Sequence, residues 1–320
     1  MKAIWLENNK IDLRELPIPL NPNEALIKVR LAGICATDLE LIKGYYPFTG
    51  VPGHEFVGEV VALGEDIANQ TQWLGNRVVG EINVRCGHCE PCRQLLVNHC
   101  ENRTVLGIVN RNGVHAEYTT LPLENLHNVP GTISDEQAVF VEPIGAALEI
   151  LEKVRIKPTD RVLVIGAGRL GHLIAQVLQL TGADLRVVAK HPAQIELLAK
   201  RSILPIFEEE LVGKRWDVVV EATGSPAGFE LARRVIRPEG KLVLKSTYKG
   251  NMEVNLSSIV VEELHLVGSR CGPFAPALRL MEAKKIDPTI LIDSAFSMDK
   301  ALEAYERAAT RGVLKVLIKP

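Results

Sequence analysis

The chain has 320 residues, of which 47% are hydrophobic, and its 37 Lys and Arg against 39 Asp and Glu give a net charge of -2. This length suggests two domains with real cores, which excludes a disordered or fibrous chain. A nearly neutral chain has no field that attracts nucleic acid or anionic lipid, so neither is expected as a partner. Glycines and polar residues interrupt the most apolar stretch, 162–180, and the first residues lack a signal-peptide pattern, so we expect a cytoplasmic protein without a membrane span.

The first 140 residues contain short apolar runs separated by Gly, Pro and Asn, a pattern typical of a mostly β domain. Five strands are expected there, at 2–6, 24–32, 55–62, 77–80 and 116–120.

From about residue 142, short apolar strands alternate with amphipathic helices, which indicates βαβ units and a parallel sheet. Six strands are expected, at 161–165, 185–189, 203–206, 217–222, 241–245 and 264–268. Helices are expected between them at 170–181, 192–201 and 226–236. The pattern predicts an α/β fold with a doubly wound parallel sheet. A final helix at 298–309 and a strand at 314–318 are expected to pack back onto the first half.

Four cysteines, Cys86, Cys89, Cys92 and Cys100, form the pattern CxxCxxCx7C. This spacing lets one short lobe wrap a tetrahedral zinc ion, and four thiolates leave no position for a substrate, so such a site is structural. Two disulfides or an iron–sulfur cluster are the alternatives that the pattern leaves open.

The segment RVLVIGAGRLG, residues 161–171, combines a strand, a GxGxxG motif and the start of an apolar helix. In this context Gly166 allows a tight turn, Gly168 lets the backbone approach a pyrophosphate, and Gly171 lets the helix pack closely. Arg169 and Leu170 begin the helix, whose N-terminus would face the phosphates. We therefore expect a Rossmann dinucleotide-binding domain; the alternative is a flexible turn in an unrelated α/β protein.

The second strand of this domain ends in Lys190 and His191. A site that prefers NAD usually has Asp or Glu about 20 residues beyond the glycines, where it binds the ribose 2′-hydroxyl. Lys190 would instead attract a 2′-phosphate, so the sequence favours NADP over NAD. The alternative is a solvated lysine beside an NAD site that lacks the acidic residue.

Upstream, Cys35, Thr37 and Asp38 follow one expected strand, and His54 and Glu55 lie at the start of another. Thiolate, imidazole and carboxylate form the mixture found in catalytic zinc sites, which keep an open position for the substrate oxygen. Taken alone these residues are only suggestive, because a lone Cys is usually a small buried residue.

With these motifs the chain resembles the zinc-dependent medium-chain dehydrogenases and reductases, which include alcohol, sorbitol and threonine dehydrogenases. The resemblance covers essentially the whole length, and its elements follow the family's order: GICATD, GHEFVGEV, the four-cysteine lobe, GVHAEY, VEPIGAALEIL, the glycine motif and DVVVEATG. It implies a mostly β, GroES-like catalytic domain at 1–145, completed by 271–320. The Rossmann domain would be inserted at 146–270, with the cofactor in the cleft between the domains.

The resemblance implies Cys35 and His54 as catalytic zinc ligands, and Glu55 as a third ligand in some members. Glu142, followed by Pro143, matches the sorbitol-like branch, whereas well-known alcohol dehydrogenases have a cysteine there. This match favours polyols or related secondary alcohols. Zinc bound directly by Cys35, Glu55 and Glu142 together would be a net anion and a poor Lewis acid, so we expect the two glutamates not to bind directly at once.

The resemblance also implies a mechanism, in which zinc lowers the pKa of the alcohol and the nicotinamide accepts the hydride. Thr37 would take the hydroxyl proton and pass it through the cofactor ribose toward solvent. Asp38 would accept the free N–H of His54. A helix N-cap is the alternative role for both residues. Thr223, within DVVVEATG, is a further candidate cofactor contact. Arg270 follows the sixth strand and would reach the pyrophosphate, with a surface salt bridge as its equal alternative.

The sequence therefore predicts an oxidoreductase with one catalytic and one structural zinc per chain. It would transfer a hydride between a primary or secondary alcohol, such as a polyol, and NADP, or reduce the carbonyl in reverse. The alternatives are an NAD-dependent aliphatic alcohol dehydrogenase and a non-catalytic dinucleotide-binding sensor that retains only the structural zinc. The resemblance implies a homodimer or homotetramer, since members of the family typically pair the edge strands of their Rossmann domains, and the strand 264–268 is apolar enough to make such an edge sticky if left bare.

Overall fold

The computed structural model describes residues 1–213, 215–247 and 251–320. These residues form two compact units, Met1–Glu142 together with Ala277–Pro320, and Pro143–Pro276. The first unit thus combines two separate stretches of chain, whereas the second is one continuous stretch.

The first 140 residues are mostly β. Their strands are β1 (Lys2–Glu7), β2 (Lys10–Glu15), β3 (Ala25–Gly33), β4 (Glu55–Leu63), β5 (Arg77–Gly80), β6 (Asn83–Val84), β7 (Thr104–Val105), β8 (Tyr118–Leu121) and β9 (Leu126–Asn128). Their α-helices are α1 (Ala36–Ile42), α2 (Glu90–Arg93) and α3 (Asp135–Ala138).

From residue 141 strands and helices alternate. These elements are α4 (Val141–Lys153), β10 (Arg161–Ile165), α5 (Arg169–Gln179), β11 (Asp184–Val188), α6 (Pro192–Ala199), β12 (Leu204–Ile206), β13 (Trp216–Glu221), α7 (Pro226–Val235), β14 (Ile236–Leu244), α8 (Leu256–Val261) and β15 (His265–Gly268). The chain ends with α9 (Phe274–Glu282), β16 (Ile292–Ser297), α10 (Ala301–Ala309) and β17 (Lys315–Lys319).

A seven-stranded sheet forms the frame of the first unit, in the order β16-β17-β3-β4-β5-β9, with β8 also paired to β3. Strand β3 shows why one face of this sheet is buried: Ile27, Val29 and Leu31 are buried, whereas Lys28 and Arg30 between them are exposed. This alternation is typical of an antiparallel strand with one face on the core.

The C-terminal tail returns to this sheet. Strand β17 pairs antiparallel with β3, so that Leu317 lies opposite Gly33 and Ile318 opposite Ala32. Val316 and Ile318 are fully buried in the core. The expected packing of the tail onto the first half is confirmed, and it brings the start of β17 close to the end of β3.

The second unit contains a six-stranded parallel sheet in the order β12-β11-β10-β13-β14-β15. The chain starts at the centre, moves outward to β12 and then outward on the other side to β15, which is the order of a doubly wound dinucleotide fold. The predicted fold class is confirmed. All six expected strands are present, although β14 begins at Ile236 instead of 241 because Pro238 and Gly240, which indicate a turn, continue the strand.

The sequence missed five strands of the first unit, namely β2, β6, β7, β9 and β16. Strand β2 has the polar sequence KIDLRE and pairs with β1 in a two-stranded sheet. Strands β6 and β7 have two residues each, and β16 has the mixed sequence IDSAFS. Such strands are defined by their partners, because their own apolar pattern is too short or too weak. Among the helices in the described ranges, none is long and apolar enough to span a membrane.

Candidate zinc and dinucleotide sites

The four cysteines of the lobe converge on one point. The Sγ atoms of Cys89 and Cys92 are 3.4 Å apart, those of Cys86 and Cys100 are 3.5 Å apart, and those of Cys89 and Cys100 are 3.7 Å apart. A tetrahedron with zinc–sulfur distances of about 2.3 Å has edges of about 3.8 Å. A disulfide requires about 2.05 Å. The separations therefore fit a four-thiolate metal site and exclude the two-disulfide alternative.

The environment of the lobe also favours a bound cation. Backbone N–H groups of His88 and Cys89 lower the pKa of Cys86 to about 6, whereas burial first, and then the neighbouring thiols, raise the pKa of Cys92 to about 12. The buried cluster of the lobe consists of the cysteines themselves. A metal ion would stabilise all four thiolates and replace the core that the lobe does not build.

A second group of ligand atoms lies at one end of the seven-stranded sheet. One atom each of Cys35, His54 and Glu55 lies within 4.8 Å of the other two. Gly33, at the end of β3, pairs with Glu55 at the start of β4. This antiparallel pairing brings the residue that caps α1, Cys35, next to the residues that open β4.

Asp38 lies behind this group and is fully buried. Its Oδ2 accepts the backbone N–H of Cys35 at 2.8 Å, and its Oδ1 accepts that of Gly53 at 3.2 Å. The same Oδ1 is 3.4 Å from Nδ1 of His54. Burial alone would raise the pKa of Asp38, but the charge of His54 and these hydrogen bonds lower it to about 2. The carboxylate thus faces the imidazole and, as the N3 residue of α1, accepts the N–H of the N-cap residue Cys35, so Asp38 is not itself the N-cap.

Thr37 lies in the first turn of α1, with Oγ1 3.7 Å from Sγ of Cys35. The hydroxyl is therefore beside the thiol of the group. Its role in proton transfer stays a prediction.

The sequence missed a residue of this site, Lys315. The Lys315 side chain is 3% exposed and its ammonium forms an ion pair with the 1% exposed Glu55 carboxylate. The Lys315 ammonium also lies 5.5 Å from the centre of the Phe140 ring. The sequence does contain a signal for this residue, because in VLKVLI, residues 313–318, a lysine interrupts an otherwise apolar run.

Glu142 is the second residue of α4 and is half-buried. Among the described residues, the group of mutually close ligand atoms contains Glu55 and not Glu142. The sequence named both Glu55 and Glu142 as candidate ligands beside Cys35 and His54, and the structure brings Glu55 to them. Direct binding of zinc by Glu142 stays a prediction.

The glycine motif has the geometry that a dinucleotide requires. Gly166 has φ +110°, and a Cβ on it would lie 2.7 Å from the Ala222 carbonyl oxygen, while a Cβ on Gly171 would lie 1.8 Å from the Gly166 carbonyl oxygen. A Cβ on Gly168, which caps α5, would meet nothing within 4 Å. Gly166 and Gly171 are thus required by packing, and Gly168 leaves open space in front of a helix N-terminus, where a pyrophosphate would fit. Arg169 and Leu170 form the first turn of this helix and are half-buried.

Lys190 and His191 lie between β11 and α6, where their backbone N–H groups donate to Oε1 of Gln194 at 2.9 and 3.2 Å. The Lys190 ammonium is two-thirds exposed and lies 3.4 Å from a Glu208 carboxylate oxygen. Glu208 also pairs with Arg234 at 3.1 Å. The lysine is accessible to a ligand, but it already has a neighbouring anion.

Thr223 follows β13, and its Oγ1 donates to the buried Glu221 carboxylate at 2.5 Å. Arg270 follows β15 and is exposed, and its carbonyl accepts the Lys245 ammonium at 2.9 Å. Both residues lie beyond the carboxyl ends of parallel strands, the edge at which doubly wound sheets bind ligands. Their contact with the cofactor stays a prediction.

Comparison with known proteins identifies the family of this chain. Residues 21–131 match the alcohol dehydrogenase GroES-like domain, and residues 170–283 match the zinc-binding dehydrogenase domain. The chain is 32% identical over 311 residues to an L-galactonate-5-dehydrogenase of Escherichia coli K12, which covers 92% of this chain and 90% of that protein.

Two solved structures share the whole fold. A zinc-binding dehydrogenase of Sinorhizobium meliloti 1021 bound to NADP has a TM-score of 0.91 at 28% identity, over 100% of this chain and 99% of that chain. A short chain alcohol dehydrogenase of Escherichia coli CFT073 complexed with NADH has a TM-score of 0.92 at 28% identity, with the same coverage.

An identity of 32% that extends over 92% of this chain and 90% of the relative is sufficient to assign the chain to a family. With its GroES-like domain and its Rossmann-type zinc-binding dehydrogenase domain, the chain belongs to the zinc-dependent medium-chain alcohol dehydrogenase family, whose members are NAD(P)-dependent oxidoreductases.

Proposed function

We propose that this protein oxidises a primary or secondary alcohol of the polyol and sugar-acid class, or reduces the matching carbonyl, with NADP as preferred cofactor and two zinc ions per chain. The observation that carries the proposal is the group of Cys35, His54 and Glu55 with the Asp38 carboxylate behind the His54 ring. Such donors suit catalytic zinc, and three protein ligands leave a fourth position for a substrate oxygen.

A zinc ion in this group would supply the Lewis acidity that lowers the pKa of an alcohol. Asp38 holds the Nδ1 side of His54, so that Nε2 remains for the metal. The Thr37 hydroxyl would accept the proton that the alcohol loses while it donates its own toward the cofactor ribose and solvent. Lys315 pairs with Glu55 and would offset the charge that this carboxylate brings to the site, and Glu142 would bind the metal only while Glu55 stays with Lys315.

The preference for NADP rests on Lys190. It is two-thirds exposed at the end of β11, where an acidic residue would repel a 2′-phosphate. Solved structures similar to this chain include one bound to NADP and one bound to NADH, so the preference has to be argued from the residues of this chain. Replacement of Lys190 by Ala is expected to weaken NADP binding and to leave NAD binding unchanged. An unchanged ratio of the two dissociation constants would remove the case for NADP.

The substrate class rests on Glu142 followed by Pro143, and on the similarity to the L-galactonate-5-dehydrogenase. Polyols and sugar acids carry secondary hydroxyl groups that a single zinc site can activate. A screen of polyols, sugar acids, aliphatic alcohols and their carbonyl products with NADP and NAD tests this class. Faster turnover of aliphatic alcohols with NAD would favour the alternative enzyme.

The decisive test of the two separate zinc sites is the zinc content of protein purified without chelator. We expect two zinc ions per chain, one of which is lost together with all turnover in the variant Cys35→Ser. One zinc per chain in the wild type, unaffected by Cys35→Ser, would contradict the proposal and favour a sensor with only the structural metal. We expect the protein to act in the cytoplasm, since metal-binding thiolates persist in a reducing compartment.

We further propose a homodimer joined through β15, which lies at one end of the parallel sheet. This edge carries Leu266, 41% exposed, and α8 beside it in the chain carries Val260 and Val261, 73% and 81% exposed. An apolar unpaired strand edge favours pairing with a second copy.

The two edges of the same sheet provide a matched test. Leu266→Lys on β15 is expected to yield monomers in light scattering after gel filtration. Leu204→Lys on β12, the opposite edge strand, where Leu204 is 55% exposed, should leave the dimer intact. A dimer that persists in Leu266→Lys and dissociates in Leu204→Lys would place the interface at the other edge.

A further inference from the structure

A fully buried histidine, His115, contacts both segments that supply the proposed zinc ligands. Its Nε2 is 3.2 Å from the carbonyl oxygen of Gly33, two residues before Cys35. Its ring lies against Gly53, the residue before His54: a Cβ on Gly53, whose φ is +95°, would lie 2.5 Å from the His115 ring. The ring thus occupies the space that a side chain at Gly53 would fill.

The other side of the ring is held by Tyr305 of α10. The Tyr305 hydroxyl is 2.7 Å from Nδ1 of His115, and the two rings meet edge to face, with centres 5.5 Å apart. Because a carbonyl oxygen only accepts, Nε2 of His115 carries the hydrogen toward Gly33. Nδ1 is then the acceptor, and Tyr305 donates to it. Burial, the largest influence, lowers the pKa of His115, which keeps the ring neutral, as this arrangement requires.

These contacts continue into the ligand group. The N–H of Gly53 donates to Asp38, which also faces His54 and accepts the N–H of Cys35. The backbone N–H of His115 donates to the carbonyl of Pro52 at 3.0 Å. His115 therefore lies between the strand end before Cys35 and the loop before His54, and Tyr305 determines how it is oriented.

Stability alone does not account for this pair. A buried hydroxyl or imidazole nitrogen without a partner destabilises the fold, and pairing the two mainly removes that cost. Two apolar rings of similar shape would fill the same space and remove both side-chain polar groups, at the cost of the donor to the Gly33 carbonyl. What the polar pair adds is a directional link from α10 to the carbonyl of Gly33.

We propose that Tyr305 and His115 form a positioning pair, which sets the spacing between the Cys35 thiolate and the His54 imidazole and thereby slows the loss of zinc from the catalytic site. The inference rests on the proposed function, because it assumes that this site holds zinc. Neither residue binds the metal or the substrate. Groups that orient metal ligands typically change metal affinity about 10–100-fold, and we expect the lower end of that range because His115 acts through the backbone.

The test is the rate at which each zinc is transferred to the chelating dye 4-(2-pyridylazo)resorcinol from the intact protein. In the wild type we expect a faster and a slower phase, each of one zinc per chain. Tyr305→Phe should accelerate one phase about 10-fold and leave the other, from the four-cysteine lobe, unchanged. Tyr118→Phe is the matched control, a half-buried tyrosine on β8, and should leave both rates as in the wild type.

A double variant separates positioning from stability. His115→Phe with Tyr305→Phe removes both polar groups, so the temperature of unfolding should return toward that of the wild type while the fast release of zinc persists. Release at the wild-type rate in Tyr305→Phe, or recovery of slow release in the double variant, would overturn the inference. A wild type with a single zinc would instead contradict the proposed function, so the two failures are distinguishable.

Discussion

Lys315 and Glu55 form a buried ion pair although 260 positions separate them in the chain. The pairing of β17 with β3, and of β3 with β4, brings the two side chains to the same end of the sheet. Lys315 thereby gives the carboxylate of Glu55, one of the proposed zinc ligands, a buried counter-ion.

The first prediction concerns this pair. Lys315→Met leaves the Glu55 carboxylate buried without its counter-ion, and breaking such a pair from one side typically costs about 3–5 kcal/mol. We expect the free energy of unfolding in urea to fall by about that amount. The double variant Lys315→Met with Glu55→Gln should recover most of the loss, since no unpaired charge remains. A double variant as unstable as Lys315→Met would show that the lysine stabilises the protein by packing alone.

The second prediction concerns the four-cysteine lobe, whose buried cluster consists of the cysteines themselves. Cys92→Ser should lose one zinc and expose the lobe to proteolysis, with cleavage between residues 86 and 100, because no apolar core remains to hold it. The measurement is limited proteolysis with mass spectrometry of the fragments. Cys271→Ser, a substitution outside the lobe, is the control and should retain both zinc ions. A Cys92→Ser protein with two zinc ions and an uncut lobe would contradict the structural role of the site.

The third prediction concerns the cofactor. The Glu208 carboxylate, 3.4 Å from the Lys190 ammonium, would compete with a 2′-phosphate for the lysine. Glu208→Gln is expected to tighten NADP binding roughly 3-fold, since pairs of such exposed groups contribute no more than about 1 kcal/mol. NAD binding should stay unchanged. Titration of nicotinamide fluorescence with both cofactors measures the two dissociation constants.

The control for this prediction is Glu196→Gln, which removes a carboxylate of α6 that pairs with Lys200. It lowers the net negative charge by the same amount but leaves Lys190 with its partner. Equal tightening of NADP in both variants would indicate a general charge effect and not a local competition at Lys190.

The fourth prediction concerns pH. His172 on α5 is 2% exposed, its Nε2 has no hydrogen-bond partner among the described residues, and burial lowers its pKa to about 4. An unfolded chain, with a histidine pKa of about 6.5, binds this proton more readily than the folded one, so His172 destabilises the fold as the pH falls from about 6.5 to about 4. At pH 5 the loss is roughly 2 kcal/mol, from about 1.4 kcal/mol per pH unit.

His172→Leu should remove this contribution. The measurement is urea unfolding of the wild type and the variant at pH 7.5 and pH 5. The free energy of unfolding should fall less between these two pH values in His172→Leu than in the wild type. Effects of acid on the zinc sites occur in both proteins and cancel in this difference. Equal losses in the two proteins would show that His172 is not the group that titrates.

Two sites could be predicted from local sequence because their residues are close in the chain. The cysteines of the lobe lie within residues 86–100, and the glycines of the dinucleotide motif within 161–171. Over such short stretches the backbone has few conformations that satisfy the spacing, so the pattern by itself specifies a metal lobe and a strand–turn–helix. The alternating apolar runs likewise specified the six parallel strands, since each of these strands is buried through its own side chains.

The catalytic group depended on residues far apart, and there the sequence alone was less informative. It identified Cys35, His54 and Asp38 and named both Glu55 and Glu142 as candidate ligands, and the tertiary structure brings Glu55 to Cys35 and His54. It missed Lys315 and the link between His115 and Tyr305. These contacts span 190 residues in one case and 260 in the other. The residue types and the local motifs were determined by the sequence, but the partners across the sheet were decided only by the register of β17, β3 and β4, because a side chain's neighbours depend on which strands pair and not on its own position in the chain.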